Sequence, residues 1–142
     1  MKASNFKLFG ILMVMTVFTL TTTSCSSDDG PTVNIVENEG PNGDIGGDFT
    51  GNGGDGTRTI TWTNNLATAD YNADITSSAT GTLLMKVADA NGTVVLERSL
   101  NGGTEPDSFS GVTSSGEPGN WTVTITLTSF NGDGSYSLSA GD

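Results

Sequence analysis

Trp121-Thr122-Val123-Thr124-Ile125-Thr126-Leu127-Thr128 decides the fold class. Every odd position carries a large apolar side chain and every even one a threonine, and successive side chains of a β-strand project to opposite faces. One face of this segment is buried and the other polar, as in an antiparallel sheet with one wet side. Working outward, the same two-residue period returns in short segments at 58–63, 71–77, 82–88, 93–99, 108–113 and 135–139, besides 121–129 itself. Leu83, Met85 and Val87 form one further inward set, Val94 and Leu96 another. No segment of useful length has helical period. Asn91-Gly92 and Asn131-Gly132 suit hairpin turns, whereas Asn101-Gly102-Gly103 and Gly116-Glu117-Pro118-Gly119 mark longer connections. Seven strands over residues 57–142 predict an all-β fold, a small antiparallel β-sandwich of jelly-roll or immunoglobulin-like type.

Composition restricts the chemistry. The chain has 142 residues, 5 Lys+Arg against 16 Asp+Glu for a formal net charge of −11, one cysteine and no histidine. Without histidine there is no Ser-His-Asp or Cys-His pair and no imidazole ligand for a metal. One cysteine forms neither an intramolecular disulfide nor a thiolate zinc cluster. The negative charge repels phosphate, so a nucleic acid is not an expected partner.

The N-terminal residues read as an address. Lys2 and Lys7 precede an apolar run from Leu8 to Leu20, followed by Thr21-Thr22-Thr23-Ser24-Cys25. A basic head, a short apolar middle and small residues describe a secretory signal, and the run is shorter than the ~20 residues that span a bilayer. Thr22-Thr23-Ser24-Cys25 resembles the cleavage site of a bacterial lipoprotein signal, although that pattern usually has Leu, Val or Ile where this chain has Thr22. The resemblance implies removal of residues 1–24 and acylation of Cys25. Ser26-Ser27-Asp28-Asp29 resembles the export signal of Bacteroidetes-type surface lipoproteins. It implies anchoring in the outer membrane through lipid, facing the cell surface. Two or more acyl chains hold a protein on a membrane without a spanning helix.

Residues 26–56 contain nine glycines, seven acidic residues and no basic one. That composition predicts a flexible acidic tether over residues 25–56, with 32–36 able to dock as an edge strand. Asp48-x-Thr50-x-Asn52-Gly53 begins like a calcium loop, with Asp44 and Asp55 nearby, but Thr59 stands where a bidentate glutamate belongs. No metal or other cofactor is expected.

Aromatic residues are the candidate binding groups. Trp62 shares parity with Ile60, and Trp121 with Val123, which assigns both indoles to the core. Tyr71, Phe109 and Phe130 lie nearer strand ends and are the candidate ligand contacts, the alternative for Phe109 and Phe130 being to plug the sandwich ends. Asp70, Asn72 and Asp74 share one outward face, which explains them without paired-carboxylate catalysis, and Asp89 and Asp133 sit where turn carboxylates make local hydrogen bonds. Residues 119–125 and 131–138 resemble a Trp-bearing strand, Gly-rich turn and closing strand found in sandwiches of secreted bacterial proteins, including pre-peptidase C-terminal and CUB-like modules. That resemblance implies the fold and no functional residue. The expectation is a non-catalytic envelope protein with a binding or structural module. Its alternatives are a carbohydrate-binding accessory lipoprotein and a subunit of an outer-membrane assembly.

Overall fold

The computed structural model describes residues 30–141. They form eight strands: β1 (Val33–Ile35), β2 (Asn38–Glu39), β3 (Ile45–Asn64), β4 (Ala69–Ile75), β5 (Thr80–Ala88), β6 (Val94–Asn101), β7 (Ser108–Val112) and β8 (Gly119–Ala140). Every pairing is antiparallel.

Two long strands organise the fold. β3 and β8 pair along nearly their whole lengths, from Ile45 opposite Leu138 to Asn64 opposite Gly119. On its other side β8 pairs with β5 from Ala88–Thr122 to Thr80–Asn131, then with β4 from Ile75–Gly134 to Ala69–Ala140. One layer therefore runs β6, β5, first half of β8, second half of β3. The other runs β7, β4, second half of β8, first half of β3, with β1 and β2 at its edge.

The bend between the layers coincides with register shifts in β3 between Asn52 and Gly56, and in β5 between Thr80 and Thr82. An unpaired extra residue bends a strand and increases its twist. Gly53 sits in the bend at φ 97°, a conformation a side chain would strain. Across from it Ser129 also has positive φ, 47°, and its N–H donates to the Asp55 carboxylate at 2.6 Å. A hydrogen bond from the neighbouring strand helps hold this non-glycine residue in a sparsely populated region.

The inner faces follow the parity that the sequence predicts except on β6, where Val94, expected inward with Leu96, is exposed and the adjacent Val95 and Leu96 are both buried, beside a register shift at Ala88. Trp121, Val123, Ile125 and Leu127 of β8, Leu83, Met85 and Val87 of β5, and Ile60 and Trp62 of β3 are buried. Against them lie Ile45, Phe49, Ala69, Tyr71, Ala73, Ile75, Tyr136 and Leu138. Three edge-to-face ring pairs, Phe49–Phe130, Trp62–Trp121 and Tyr71–Phe109, sit within this core at centroid separations of 5.4, 6.1 and 5.9 Å. Such pairs add about 0.5–1.5 kcal/mol each beyond the area they bury.

Three expectations are corrected. A tether over 25–56 does not describe residues 33–56, because β1, β2 and the first half of β3 belong to the sandwich and a boundary at Thr57 falls inside β3. Ile45 and Phe49 are buried with Gly47 between them, so this glycine-rich stretch has an alternating inward face of its own. Asn131-Gly132 is not a hairpin: it lies inside β8, which joins the two expected strands 121–129 and 135–139 into one. Gly132, with φ 140°, is part of the bend instead. Asp133, expected in that turn, accordingly lies in a strand.

Candidate functional site

The outer faces of the two layers differ in chemistry. On the β4 layer, Asp48, Asp70, Asn72, Asp74, Ser108, Ser110, Asp133 and Ser137 are exposed, giving an acidic, serine-bearing surface. On the β5 layer the even positions of β8 and the odd positions of the second half of β3 form a threonine ladder. Thr57 stands opposite Thr126, Thr59 opposite Thr124, Thr61 opposite Thr122 and Thr63 opposite Asn120. β5 extends it with Thr82 opposite Thr128 and Lys86 opposite Thr124. The first and last rungs are closed by side-chain hydrogen bonds, Thr57 to Thr126 at 3.3 Å and Thr63 to Asn120 at 3.1 Å. Lys86 faces Glu97 of β6 at 3.7 Å, an exposed ion pair worth at most about 1 kcal/mol. Apart from that pair the ladder is uncharged, in a chain of net charge −11.

A shallow groove of about 370 Å³ lies beside β2, lined by residues that include Asn38, Glu39, Asp44, Asp48, Ser135 and Ser137. At its floor Tyr136 is buried and its hydroxyl donates to the Val36 carbonyl at 2.7 Å. Burial, with the Glu37 carboxylate nearby, raises the Tyr136 pKa above its ordinary value, so the phenol stays protonated at neutral pH. Glu37 in turn accepts from Arg58 at 2.6 Å, and Trp62 Nε1 donates to the Gly43 carbonyl at 2.7 Å. These contacts fasten the 36–43 segment across the open side of the sandwich.

Asp89 is the one buried carboxylate among the described residues. Its Oδ2 accepts from the Glu117 N–H at 2.8 Å, and its Oδ1 from the N–H groups of Thr93 at 2.8 Å and Asn91 at 3.0 Å. The Glu117 bond is the largest influence holding its pKa below the usual carboxylate value; burial opposes it, and the bonds around the Asn91-Gly92 turn add to it. Trp121 Nε1 donates to the Glu117 carbonyl at 2.8 Å, so one turn, one loop and the core strand share a single hub. The expected local role of Asp89 is what the fold uses. Its oxygens are occupied by backbone donors, which suits a structural carboxylate rather than a proton shuttle.

The aromatic candidates resolve as follows. Trp62 and Trp121 are in the core, as their parity implies. Tyr71, Phe109 and Phe130 are also buried, at 8, 6 and 0% exposure, so they plug the sandwich instead of forming a ligand platform. Arg98 of β6 closes over two of them, its guanidinium 5.2 Å from the Phe109 ring and 3.3 Å from the Tyr71 hydroxyl. Asp48, Thr50 and Asn52 lie within β3 rather than in a loop, and the Asn52 amide oxygen accepts from Thr32, so the calcium-loop arrangement is not formed. Asp70, Asn72 and Asp74 project to solvent on β4. Cys25, Ser26, Ser27, Asp28 and Asp29 lie outside the described residues. Sequence reasoning missed the threonine ladder as a surface, though the even-numbered threonines of β8 were its visible half.

No protein-family model and no curated protein matches the chain. Among solved structures it is similar to a family 11 carbohydrate-binding module from Clostridium thermocellum, solved in complex with a β-1,3-1,4-mixed-linked tetrasaccharide. The match covers 78% of this chain and 81% of that one, at 9% identity and a TM-score of 0.37. No residue of that module is transferred to this chain.

Proposed function

We propose that this chain is a lipid-anchored protein of the outer membrane, displayed at the cell surface, whose β-sandwich is a non-catalytic binding or structural module. Cys25 carries the lipid, Ser26, Ser27, Asp28 and Asp29 direct export, and the short segment before β1 joins the anchor to the fold. The observation that carries the module reading is the uncharged threonine ladder on an otherwise acidic sandwich. Away from the Lys86–Glu97 pair it is a surface on which contacts form without desolvating charge. Two further observations support a non-catalytic role: Asp89 is saturated by backbone donors, and Asp70 and Asp74 point to solvent.

Replacing Cys25 with Ala tests the anchor. The variant is expected in the soluble fraction, and continued fractionation with membranes overturns the lipid reading. Replacing Asp28 and Asp29 together with Ala is expected to keep the protein on membranes while reducing its cleavage by protease added to whole cells. Unchanged cleavage removes the export role of these residues. A glycan is the second reading for the partner, favoured by the hydroxyls of Thr59, Thr61, Thr122 and Thr124, which have no side-chain hydrogen bond among the described residues. Retention on a polysaccharide column that Thr59→Val with Thr124→Val abolishes supports it, and retention unaffected by those changes excludes this face.

A further inference from the structure

The threonine ladder ends at an edge whose backbone is unpaired among the described residues, although the 36–43 segment runs beside it, held by the side chains of Arg58 and Trp62. Over Thr57–Thr63, β3 pairs with β8 on one side and, among the described residues, with nothing on the other; β1 and β2 reach only residues 45–51. Exposed edges are normally blunted by proline, by charges, by bulges or by being short. This stretch has seven consecutive paired residues, no proline, no register shift and one charge, Arg58, which is drawn aside to Glu37. The opposite side of the sandwich differs: the Ser114 N–H donates to the Val95 carbonyl and Arg98 covers Phe109, tying β6 to the β7 layer.

The geometry points to pairing of this edge with the same edge of a second copy, antiparallel and centred on Ile60. The threonines at 57, 59, 61 and 63 are placed symmetrically about Ile60. A two-fold interface sets each patch against itself. Centred there, Thr57 meets Thr63 of the second copy, Thr59 meets Thr61, and Arg58 meets Trp62. Threonine pairs suit directly opposed positions, while Arg58 and Trp62 meet only through their backbones, the Trp62 indole staying in the core and Arg58 on Glu37. The two Arg58 residues are kept apart by four residues of strand, about 13 Å. The β5 layer of each copy then continues across the two-fold, and the threonine face doubles in width. A foreign strand would need a matching pattern from elsewhere, whereas the second copy supplies it by symmetry.

Seven residues of strand make a small interface, so association is weak in solution and is favoured when copies are concentrated on a surface. The net charge of −11 on each copy opposes it. Affinity therefore rises as added salt shortens the Debye length from about 30 Å to about 8 Å.

The test is sedimentation equilibrium of the full chain in non-ionic detergent, over a range of protein and salt concentrations, with two variants. Thr59→Lys with Thr61→Lys places lysines opposite lysines in the centred register and is expected to weaken dimerisation about tenfold or more. It also lowers the net negative charge, so the loss cannot come from overall repulsion. Thr59→Glu with Thr61→Lys places Glu opposite Lys, leaves the net charge unchanged and is expected to dimerise at least as well as the parent chain. Circular dichroism and thermal melting establish that both variants fold. A parent chain that stays monomeric throughout, a dimer indifferent to the lysine pair, or loss of the dimer in both variants overturns the proposal.

Discussion

Gly47→Ala is the sharpest probe of whether residues 33–44 belong to the sandwich. Gly47 does not have a left-handed backbone, so alanine costs nothing in φ. Its new methyl group, however, would stand 2.0 Å from the Val36 carbonyl oxygen and 2.7 Å from its carbon. Those are backbone atoms, and no rotamer relieves the clash. If the surroundings yield around the methyl group, overpacking costs about 1–3 kcal/mol. If the 33–37 segment undocks instead, the Tyr136 hydrogen bond to Val36 goes with it, worth about 1 kcal/mol. The half-burial of Val33 and Ile35 goes too, roughly 1 kcal/mol each, while the exposed Arg58–Glu37 pair adds less than about 1 kcal/mol. Undocking therefore costs about 3–4 kcal/mol, and the cheaper route sets the outcome: a destabilisation of about 1–3 kcal/mol, or a fall in Tm of roughly 4–12 °C for a domain of this size. Urea and thermal unfolding followed by tryptophan emission measure it, and limited proteolysis reads protection of residues 33–44 in parallel. Gly30→Ala, with nothing within 4 Å of its added methyl group, is the matched control and is expected to leave the Tm unchanged. An unaltered Tm for Gly47→Ala, with these residues cleaved as fast in the parent chain as in the variant, would refute the docking and restore a free tether.

Three further outcomes follow from the core and its hub. Both tryptophans are buried, so emission of the folded protein is expected to be blue-shifted and resistant to acrylamide; a red, readily quenched spectrum contradicts the packing of Trp62 and Trp121. Trp121→Phe removes the indole donor to Glu117 and some core volume, and is expected to cost about 1–3 kcal/mol in urea unfolding; a variant as stable as the parent would show the hub to be incidental. Asp89 has its pKa lowered on folding, so its stabilisation is present above the unfolded carboxylate value of about 3.9 and is lost as pH falls below it. Asp89→Asn is accordingly expected to lower the urea midpoint at pH 6 and to show a smaller further drop at pH 3 than the parent; equal drops would remove Asp89 from the acid response.

The legible part of the fold was the part set by local periodicity. Strict alternation in 121–128 forces one face inward, and the same parity correctly buried Trp62, Leu83, Met85 and Val87. Asn91-Gly92 was readable because a short turn over Ala90, Asn91 and Gly92, with φ 83° at the glycine, joins strands adjacent in sequence. The first half of β3 was not readable in this way. Its glycines carry no hydrophobic signal, and they are glycines because other backbone comes close: Tyr136 and Ser137 at Gly46, Val36 at Gly47, Phe130 at Gly51 and Thr32 at Gly54. Those neighbours are 11 to 91 residues distant along the chain, and composition alone resembles a linker. Asn131-Gly132 misled for a related reason, since a bend in a continuous strand uses the same permissive residues as a hairpin. Tyr71, Phe109 and Phe130 lie where strands end or bend, but a sandwich this small closes those places with rings rather than leaving them open. The threonine ladder needed the register of β3 on β8 before its two halves could be seen as one surface.

The most direct test of the account is mass spectrometry of the N-terminus of the full chain recovered from cell membranes. A chain beginning at Cys25, lacking residues 1–24 and bearing acyl groups on that cysteine, is the predicted result. A membrane-derived chain that begins at Met1, or whose Cys25 carries no lipid, would contradict it.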